Sequence, residues 1–201
     1  MVTAMVTPMK PDGSIDYDGV KKLAEHLVAN GHDGLVVNGT TGESATTTDE
    51  ENIETVRAVA DAVKGRTAIT AGVGTNDTAH SVRAAKALAD AGADAVLVVT
   101  PYYNKPTQAG IVEHFKAVVG ATDLPAMAYD IPGRSGTALA SDTIRQLATI
   151  DQVRAVKDAK GDFFEATKLM DETDLLWYSG DDVVNLCLLY TSDAADDMQC
   201  V

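Results

Sequence analysis

Cysteine is almost missing from this sequence, and its scarcity removes several kinds of chemistry. The chain of 201 residues has only Cys187 and Cys200, so residues 1–186 contain no cysteine. That part of the chain therefore has neither a disulfide framework nor a cysteine nucleophile. The four histidines are scattered, and no group of histidine, cysteine and carboxylate residues has the spacing of metal ligands. We therefore expect no bound metal.

Basic charge and long hydrophobic runs are also scarce. The chain has 16 lysine and arginine residues against 30 aspartate and glutamate residues, a formal net charge of −14. Such an acidic protein lacks the basic face that nucleic-acid phosphates require, so we expect no nucleic-acid partner. No apolar run is long enough to cross a membrane, and the first residues do not read as a secretion signal. These features predict a cytoplasmic protein with no membrane partner.

Short apolar runs alternate with amphipathic segments along most of the chain. The predicted strands span 1–8, 34–38, 67–73, 95–100, 126–131, 153–157 and 175–179, and the predicted helices span 20–30, 49–64, 77–91, 108–120, 141–148 and 163–171. Apolar strands between helices indicate a parallel sheet covered by helices. Such a run of units predicts an α/β fold, an incomplete TIM (β/α)8 barrel with about seven of its eight strands. A doubly wound sheet normally has a glycine-rich phosphate loop after its first strand, and residues 5–9 contain none.

Residues 153–161, Val-Arg-Ala-Val-Lys-Asp-Ala-Lys-Gly, read as a short buried strand that ends on a lysine. Alternation along a strand predicts that Val153, Ala155 and Lys157 share one face. Small apolar neighbours leave the amine little water, which favours the neutral form that makes a Schiff base with a carbonyl compound. A solvated lysine at the end of a strand is the plain alternative.

The chemistry of a TIM barrel lies at the C-terminal ends of its strands, where further candidates collect. The loop 39–44, Gly-Thr-Thr-Gly-Glu-Ser, offers hydroxyls and backbone amides to a carboxylate, although an ordinary turn explains it equally well. Tyr103 follows the fourth predicted strand, and Tyr129 and Arg134 lie at the end of the fifth. The tyrosines suit a core or an interface, and Arg134 suits either a solvated surface or a fork for a substrate carboxylate.

Taken together, these segments resemble the dihydrodipicolinate synthase family in order and spacing. The matching segments are 39–44, 101–104, 129–136, 156–159 and 179–182. The wider superfamily, which includes N-acetylneuraminate lyase and other pyruvate aldolases, shares the lysine and the loop with tyrosine and arginine. The pair Thr40 and Thr41 favours the synthase. The resemblance covers residues 1–186, which we predict to be one partial (β/α)8 catalytic domain.

The resemblance implies a reaction and a set of roles. Lys157 would condense with pyruvate to an imine, whose enamine attacks L-aspartate 4-semialdehyde to give 4-hydroxy-tetrahydrodipicolinate for lysine biosynthesis, without an added cofactor. The implied catalytic residues are Lys157, Tyr129, Thr41 and Tyr103, and the implied substrate-binding residues are Thr40, Thr41, Arg134 and Gly180. Because the tyrosine at 103 would reach the site of a neighbouring subunit, a homo-oligomer is implied, a tetramer made of two dimers. The alternatives are a sibling pyruvate-dependent aldolase or a catalytically inactive fragment.

The sequence departs from the family at three places. The resemblance implies a lysine feedback site, but Asp49, Asn52 and His80 replace residues typical of it, which argues against feedback inhibition. Asp130 stands where many members have asparagine. From Cys187 onward the resemblance ends, and residues 187–201 read like a translated sequencing adapter, which predicts an artefactual tail.

Overall fold

The computed structural model describes residues 1–181, in which strands and helices alternate as the sequence predicts. The strands are β1 (Val2–Ala4), β2 (Gly34–Val37), β3 (Ala68–Gly72), β4 (Ala95–Val99), β5 (Ala126–Asp130), β6 (Val153–Asp158) and β7 (Leu176–Ser179). The helices are α1 (Tyr17–Ala29), α2 (Asp49–Val63), α3 (Thr78–Asp90), α4 (Gln108–Val119), α5 (Pro132–Ser135), α6 (Ser141–Ala148) and α7 (Phe163–Glu172). The predicted boundary at 186 and the predicted tail 187–201 lie outside the described residues.

The strands form one parallel sheet in the order β1 to β7, and this sheet is curled. Its inner face holds a cluster whose buried members are Val36, Leu97, Met127, Tyr129 and Ala155. Val2 and Ala4 of β1 and Tyr178 of β7 pack against that same cluster, although their strands lie at opposite edges of the sheet. Edge strands share one inner cluster only when a sheet bends toward closure. The prediction of an incomplete TIM barrel is therefore confirmed.

The larger core lies between the outer face of the sheet and the helices. Helix α4 contributes Ile111 and Phe115, which are fully buried, and β2 contributes Leu35 and Val37. Val36 between them points inward, because side chains alternate along a strand. Burial of each large apolar side chain stabilises the fold by about 1.5–3 kcal/mol. The outer core therefore fixes the strands whose ends carry the candidate residues.

Polar side chains fix where several helices begin. Thr48 and Glu51 form a capping box at α2, in which the Glu51 N–H donates to Thr48 Oγ1 at 3.2 Å and the Thr48 N–H donates to the Glu51 carboxylate at 2.8 Å. Asp77, Thr107 and Asp162 cap α3, α4 and α7 in the simpler way, through one side-chain oxygen each. Each of these helices follows a loop at the C-terminal end of a strand. The caps therefore fix the far ends of the loops around the candidate site.

Two elements differ from the prediction in extent. The first strand was predicted over 1–8, but it ends at Ala4, and Met9 then pairs with Ile15 in a short antiparallel bridge. Proline has no N–H for a ladder hydrogen bond, so Pro8 is a poor residue for the end of the predicted strand. Helix α5 was not predicted; a proline at its first position and Gly136 at its end, with φ of 76°, define this single turn.

The prediction that Val153, Ala155 and Lys157 share one face of their strand was wrong for Val153. The pairing of β5 with β6 shifts register between Ala126 and Met127, so that Arg154 is an extra residue in β6. Such an extra residue reverses the alternation of faces. Val153 therefore packs in the outer core, whereas Ala155 packs in the inner cluster. Lys157 shares its face with Ala155 but not with Val153.

Candidate active site

Three side chains form a row across the inner face at the C-terminal ends of β5, β6 and β7. Tyr129, Lys157 and Tyr178 are register partners on these neighbouring strands. Neighbouring strands are roughly 4.8 Å apart, so the three side chains are direct neighbours. Tyr129 is buried in the inner cluster and Tyr178 packs against it. The row, called the inner row below, includes two of the residues that the resemblance makes catalytic.

The amine of Lys157 lies against the ring of Tyr129. Nζ is 4.3 Å from the ring centroid, within the range of a cation–π contact. The lysine side chain is half-buried and stands beyond Ala155, which is buried on the same face. The amine therefore has an aromatic wall on one side and remains within reach of a small carbonyl compound.

The pKa of the Tyr129 hydroxyl is influenced by two other candidate residues, Thr40 and Arg134. Burial raises the pKa of this phenol, and the negative charge of Asp181 raises it further. A hydrogen bond with Thr40 and the positive charge of Arg134 act in the opposite direction and lower the pKa. The net pKa is higher than usual, so the hydroxyl carries its proton at neutral pH and can both donate and accept. Thr40 and Arg134 are therefore near enough to Tyr129 to influence the pKa of its hydroxyl.

Gly180 lies directly beside the lysine. A β-carbon built at this position would be 3.2 Å from Cε of Lys157 and 3.2 Å from the backbone oxygen of Asp158. The Gly180 N–H donates to that same oxygen at 2.6 Å. A side chain at 180 would therefore press on both the lysine and the end of β6, which explains glycine at this point.

The loop 39–44 is held from two sides. The hydroxyl of Thr7 donates to the carbonyl of Gly42 at 2.6 Å, and a β-carbon at Gly72 would stand only 2.0 Å from the carbonyl oxygen of Asn38. Position 72 therefore requires glycine. Thr40 and Thr41 are both exposed at the tip of this loop, and within residues 1–181 the Thr41 hydroxyl makes no hydrogen bond.

Tyr103 stands apart from the inner row. Its side chain is 86% exposed, and its backbone has the left-handed φ of 71° that is rare for a residue with a side chain. Its N–H donates to the carbonyl of Ser135 at 3.3 Å, which joins its loop to the loop of Arg134. Its hydroxyl makes no hydrogen bond to any residue in 1–181. A single chain therefore does not assemble Thr41 and Tyr103 with Tyr129.

Two residues of interest were missed by sequence reasoning. Tyr178 belongs to the inner row, and the alternation of Leu176, Tyr178 and Gly180 is the signal that places it on that face. Asp130 was noted only as a departure from the family, yet it is 2% exposed and accepts a hydrogen bond from the Leu139 N–H at 3.1 Å. An aspartate at the last position of an otherwise apolar strand is the signal that marks it.

Neither a metal-binding cluster nor a membrane-spanning helix lies in the part of the chain that the structure describes. Residues 1–181 contain no group of three or more histidine, cysteine, aspartate or glutamate side chains that could hold a metal ion. In the same span, every helix is too short or too polar to cross a membrane.

Comparison with known proteins gives one consistent family. The model of the dihydrodipicolinate synthetase family matches residues 1–191. The 4-hydroxy-tetrahydrodipicolinate synthase of Acidothermus cellulolyticus is 54% identical over 189 residues, which are 94% of this chain and 61% of that protein. The enzyme of the same name from Cutibacterium acnes is 56% identical over 190 residues, 94% of this chain and 65% of that protein. The chain thus spans about three fifths of the length of these curated relatives.

Solved structures agree with the curated relatives. A dihydrodipicolinate synthase from Bacillus anthracis, 42% identical, superposes with a TM-score of 0.93 over 95% of this chain and 66% of that chain. The chloride-inhibited dihydrodipicolinate synthase from Acinetobacter baumannii, complexed with pyruvate, is 40% identical and has a TM-score of 0.92 over 95% of this chain and 66% of that chain.

Proposed function

Because the chain belongs to the dihydrodipicolinate synthetase family, we propose that the full-length protein condenses pyruvate with L-aspartate 4-semialdehyde. The product is 4-hydroxy-tetrahydrodipicolinate, and the pathway is lysine and diaminopimelate biosynthesis. The observation that carries the proposal is the contact of the Lys157 amine with the Tyr129 ring at 4.3 Å, at the ends of two neighbouring strands. The relative from Acinetobacter baumannii, solved with pyruvate, supports the identity of the first substrate.

The first half of the reaction uses the lysine as a nucleophile. The neutral amine of Lys157 adds to the keto carbon of pyruvate, and loss of water leaves an imine. The imine nitrogen takes up a proton, the methyl carbon loses one, and the electron pair of that C–H bond becomes the carbon–carbon double bond of the enamine. Thr40 and Thr41, exposed on a rigid loop beside Tyr129, are suited to hold the pyruvate carboxylate.

The second half joins the two substrates. The enamine carbon bonds to the aldehyde carbon of the semialdehyde, and Tyr129 donates a proton to the oxygen that becomes the hydroxyl. The amino group of the semialdehyde then attacks the imine carbon, which closes the ring and releases Lys157. Arg134 has the fork geometry that binds a carboxylate, so it is suited to the carboxylate of the semialdehyde.

The assembly and the location belong to the same proposal. Tyr103 is exposed on a single chain, and its left-handed backbone conformation costs free energy. Such a conformation persists where a further contact compensates for the cost. A neighbouring subunit whose site Tyr103 completes would supply that contact, so we propose a homo-oligomer, a tetramer of two dimers, in the cytoplasm.

The test is chemical trapping of the imine. It requires a full-length protein, called the completed chain below, in which residues 1–181 continue into the C-terminal part of the Cutibacterium acnes relative. We expect borohydride reduction in the presence of pyruvate to leave one pyruvyl adduct, and peptide mass spectrometry to locate it on Lys157. An adduct on Lys160, or no adduct, contradicts the proposal.

Turnover separates the synthase from a sibling aldolase. The completed chain should consume L-aspartate 4-semialdehyde in the presence of pyruvate and should leave N-acetylneuraminate and keto-deoxy sugar acids intact. An adduct on Lys157 together with cleavage of such a sugar acid would assign the protein to the sibling activity instead.

A further inference from the structure

Asp130 and Asp158 form a buried pair on the face of the sheet opposite to the inner row. They are register partners at the last positions of β5 and β6, and they are 2% and 7% exposed. Both line a small cavity of about 10 Å³ under α6 and α7, together with the apolar side chains of Ile144, Leu169 and Trp177. Each aspartate directly follows a candidate catalytic residue in the sequence, Tyr129 or Lys157.

Burial of two carboxyl groups side by side costs free energy, which hydrogen bonds must offset. The partners in these hydrogen bonds therefore show which parts of the chain the two carboxyls hold. The Asp130 carboxyl accepts from the Leu139 N–H at 3.1 Å, and the Asp158 carboxyl accepts from the Lys160 N–H at 2.7 Å. Both donors are backbone groups of the loop that follows the strand. The bond of Asp158 spans two residues, whereas the bond of Asp130 spans nine.

The long bond closes the loop that carries Arg134. This loop begins directly after Asp130 and ends at Leu139, so one side chain joins its two ends. The backbone oxygen of Asp130 also accepts from the Ala159 N–H at 2.9 Å, which fixes the base of the loop to the end of β6. Inside the loop, the Ser135 hydroxyl lies 3.0 Å from the carbonyl of Ile131 and 2.9 Å from that of Thr137, so it can donate its one proton to either and stabilise the turn of α5.

Arg134 itself has little else to fix it. Its side chain is exposed, and within residues 1–181 its guanidinium makes no ion pair with a carboxylate. The position of the guanidinium therefore depends on the backbone of the loop. Gln108 also bonds the far end of the loop, at the Ala138 carbonyl and the Ala140 N–H, but among the described residues only the Asp130 side chain joins that end to the end of β5.

We infer that Asp130 is a positioning residue for the second substrate: by closing the loop 131–139 from the outer face of the sheet, it holds Arg134 where the substrate carboxylate binds. The inference rests on the proposed function, in which Arg134 binds the semialdehyde. Loss of the closure should therefore weaken binding of the semialdehyde and leave pyruvate and its imine unaffected.

The experiment compares three variants of the completed chain. Asp130→Ala removes the acceptor, Asp130→Asn keeps an oxygen that can accept from Leu139, and Asp158→Ala removes the equivalent short bond on the next strand as a matched control. For Asp130→Ala we expect the semialdehyde KM to rise roughly 10–100-fold, the range that misplacement of a binding group by about 1 Å can cost. The pyruvate KM should stay within about twofold of the wild type. Asp130→Asn should restore most of the semialdehyde KM, and Asp158→Ala should not raise it selectively.

Trapping distinguishes the failure of this inference from the failure of the proposed function. If the wild type forms no borohydride adduct with pyruvate, the proposed function fails and the inference fails with it. If adducts form but Asp130→Ala changes both KM values equally or neither, only the inference is overturned. It is also overturned if Asp130→Asn is as impaired as Asp130→Ala. Should Asp130→Ala not fold, Asp130→Ser is the substitute, because a serine hydroxyl at 130 is too short to reach Leu139.

Discussion

The ends of β5, β6 and β7 carry two rows of side chains, one on each face of the sheet, and the contacts of the two rows differ in kind. The inner row is Tyr129, Lys157 and Tyr178, and the outer row is Asp130, Asp158 and Ser179. In the inner row the side chains of Tyr129 and Lys157 meet each other across neighbouring strands. In the outer row each side chain instead bonds the backbone of the loop that follows its strand, at Leu139, Lys160 and Asp181.

The difference follows from what covers each face. Helices α6 and α7 cover the outer face, as the lining of the cavity beside Asp130 and Asp158 indicates, so a polar group there must find its partner inside the protein. The inner face opens at the ends of the strands, where Lys157 keeps part of its surface exposed. One step along a strand therefore separates a residue suited to chemistry from a residue suited to holding a loop.

Replacement of the central inner residue should have the largest effect. In the completed chain, we expect Lys157→Arg to abolish both the pyruvate adduct and turnover, because a guanidinium stays protonated and cannot form the imine. Mass spectrometry after borohydride reduction checks the adduct, and a turnover assay checks activity.

Lys160→Arg is the control for that change. Lys160 lies on the outer side, where it lines the cavity of the two aspartates, and its substitution keeps a positive charge there. We expect an unchanged adduct on Lys157. An adduct that survives in Lys157→Arg and disappears in Lys160→Arg would reverse the assignment of the two lysines.

A smaller effect is expected when the inner row loses the phenol of Tyr129, the proposed proton donor. Tyr129→Phe should lower turnover by roughly 10²–10⁴-fold, the usual cost of removing a general acid or base. Pyruvate should still form the imine on Lys157, because the amine and most of the aromatic wall remain.

Tyr178→Phe tests whether any phenol beside Lys157 contributes to turnover, or only the phenol of Tyr129. Tyr178 is the register partner of Lys157 on the other side, yet within residues 1–181 its hydroxyl makes no hydrogen bond. We expect its loss to lower turnover far less than the loss of Tyr129. Equal losses in steady-state assays would assign the proton transfer to both tyrosines.

The sequence was sufficient to predict the alternation of strands and helices and the presence of Lys157 and Tyr129 at strand ends, because hydrophobic periodicity is a local property. It was not sufficient for features set by pairing. The extra residue at Arg154 moves Val153 to the outer face, and only the register with β5 reveals it. The closure of the loop by Asp130 depends on Leu139, and a bond between a side chain and a distant backbone N–H leaves no periodic signal.

Asp49 and His80, where the sequence departs from the family, are a further example of a contact between distant residues that leaves no signal in the sequence. These residues are 31 positions apart, and His80 Nε2 lies 2.7 Å from the Asp49 carboxylate. A sequence comparison treats them as two separate substitutions, whereas the structure joins them into one contact between α2 and α3. The loss of lysine feedback inhibition stays a prediction.

The last expected effect is on stability and not on turnover, and it comes from the charge of the outer row. The pKa of Asp130 is raised from 3.8 to about 6: burial is the main cause and the charge of Asp158 adds to it, while the Leu139 hydrogen bond and the positive charge of Lys160 act against the rise. Between these two pKa values the folded protein holds a proton at Asp130 that the unfolded chain has released. Folding stability from this group therefore decreases as the pH rises from about 4 to about 6, by about 3 kcal/mol in total.

Asp130→Asn removes this titration and keeps the shape of the side chain. Burial lowers the pKa of His114, which makes stability increase with pH, and burial raises the pKa of Asp158, which makes it decrease. Both groups remain in the variant, so we compare the free energies of unfolding of the wild type and Asp130→Asn, measured by denaturant titration of the completed chain.

Between pH 4 and pH 7, the free energy of unfolding of Asp130→Asn should increase by a few kcal/mol relative to that of the wild type. This change includes the loss of the repulsion between the charges of Asp130 and Asp158. A difference that does not change with pH would mean that Asp130 stays ionised throughout this range. The outer row would then differ from the inner row in its contacts but not in the effect of burial on its charge.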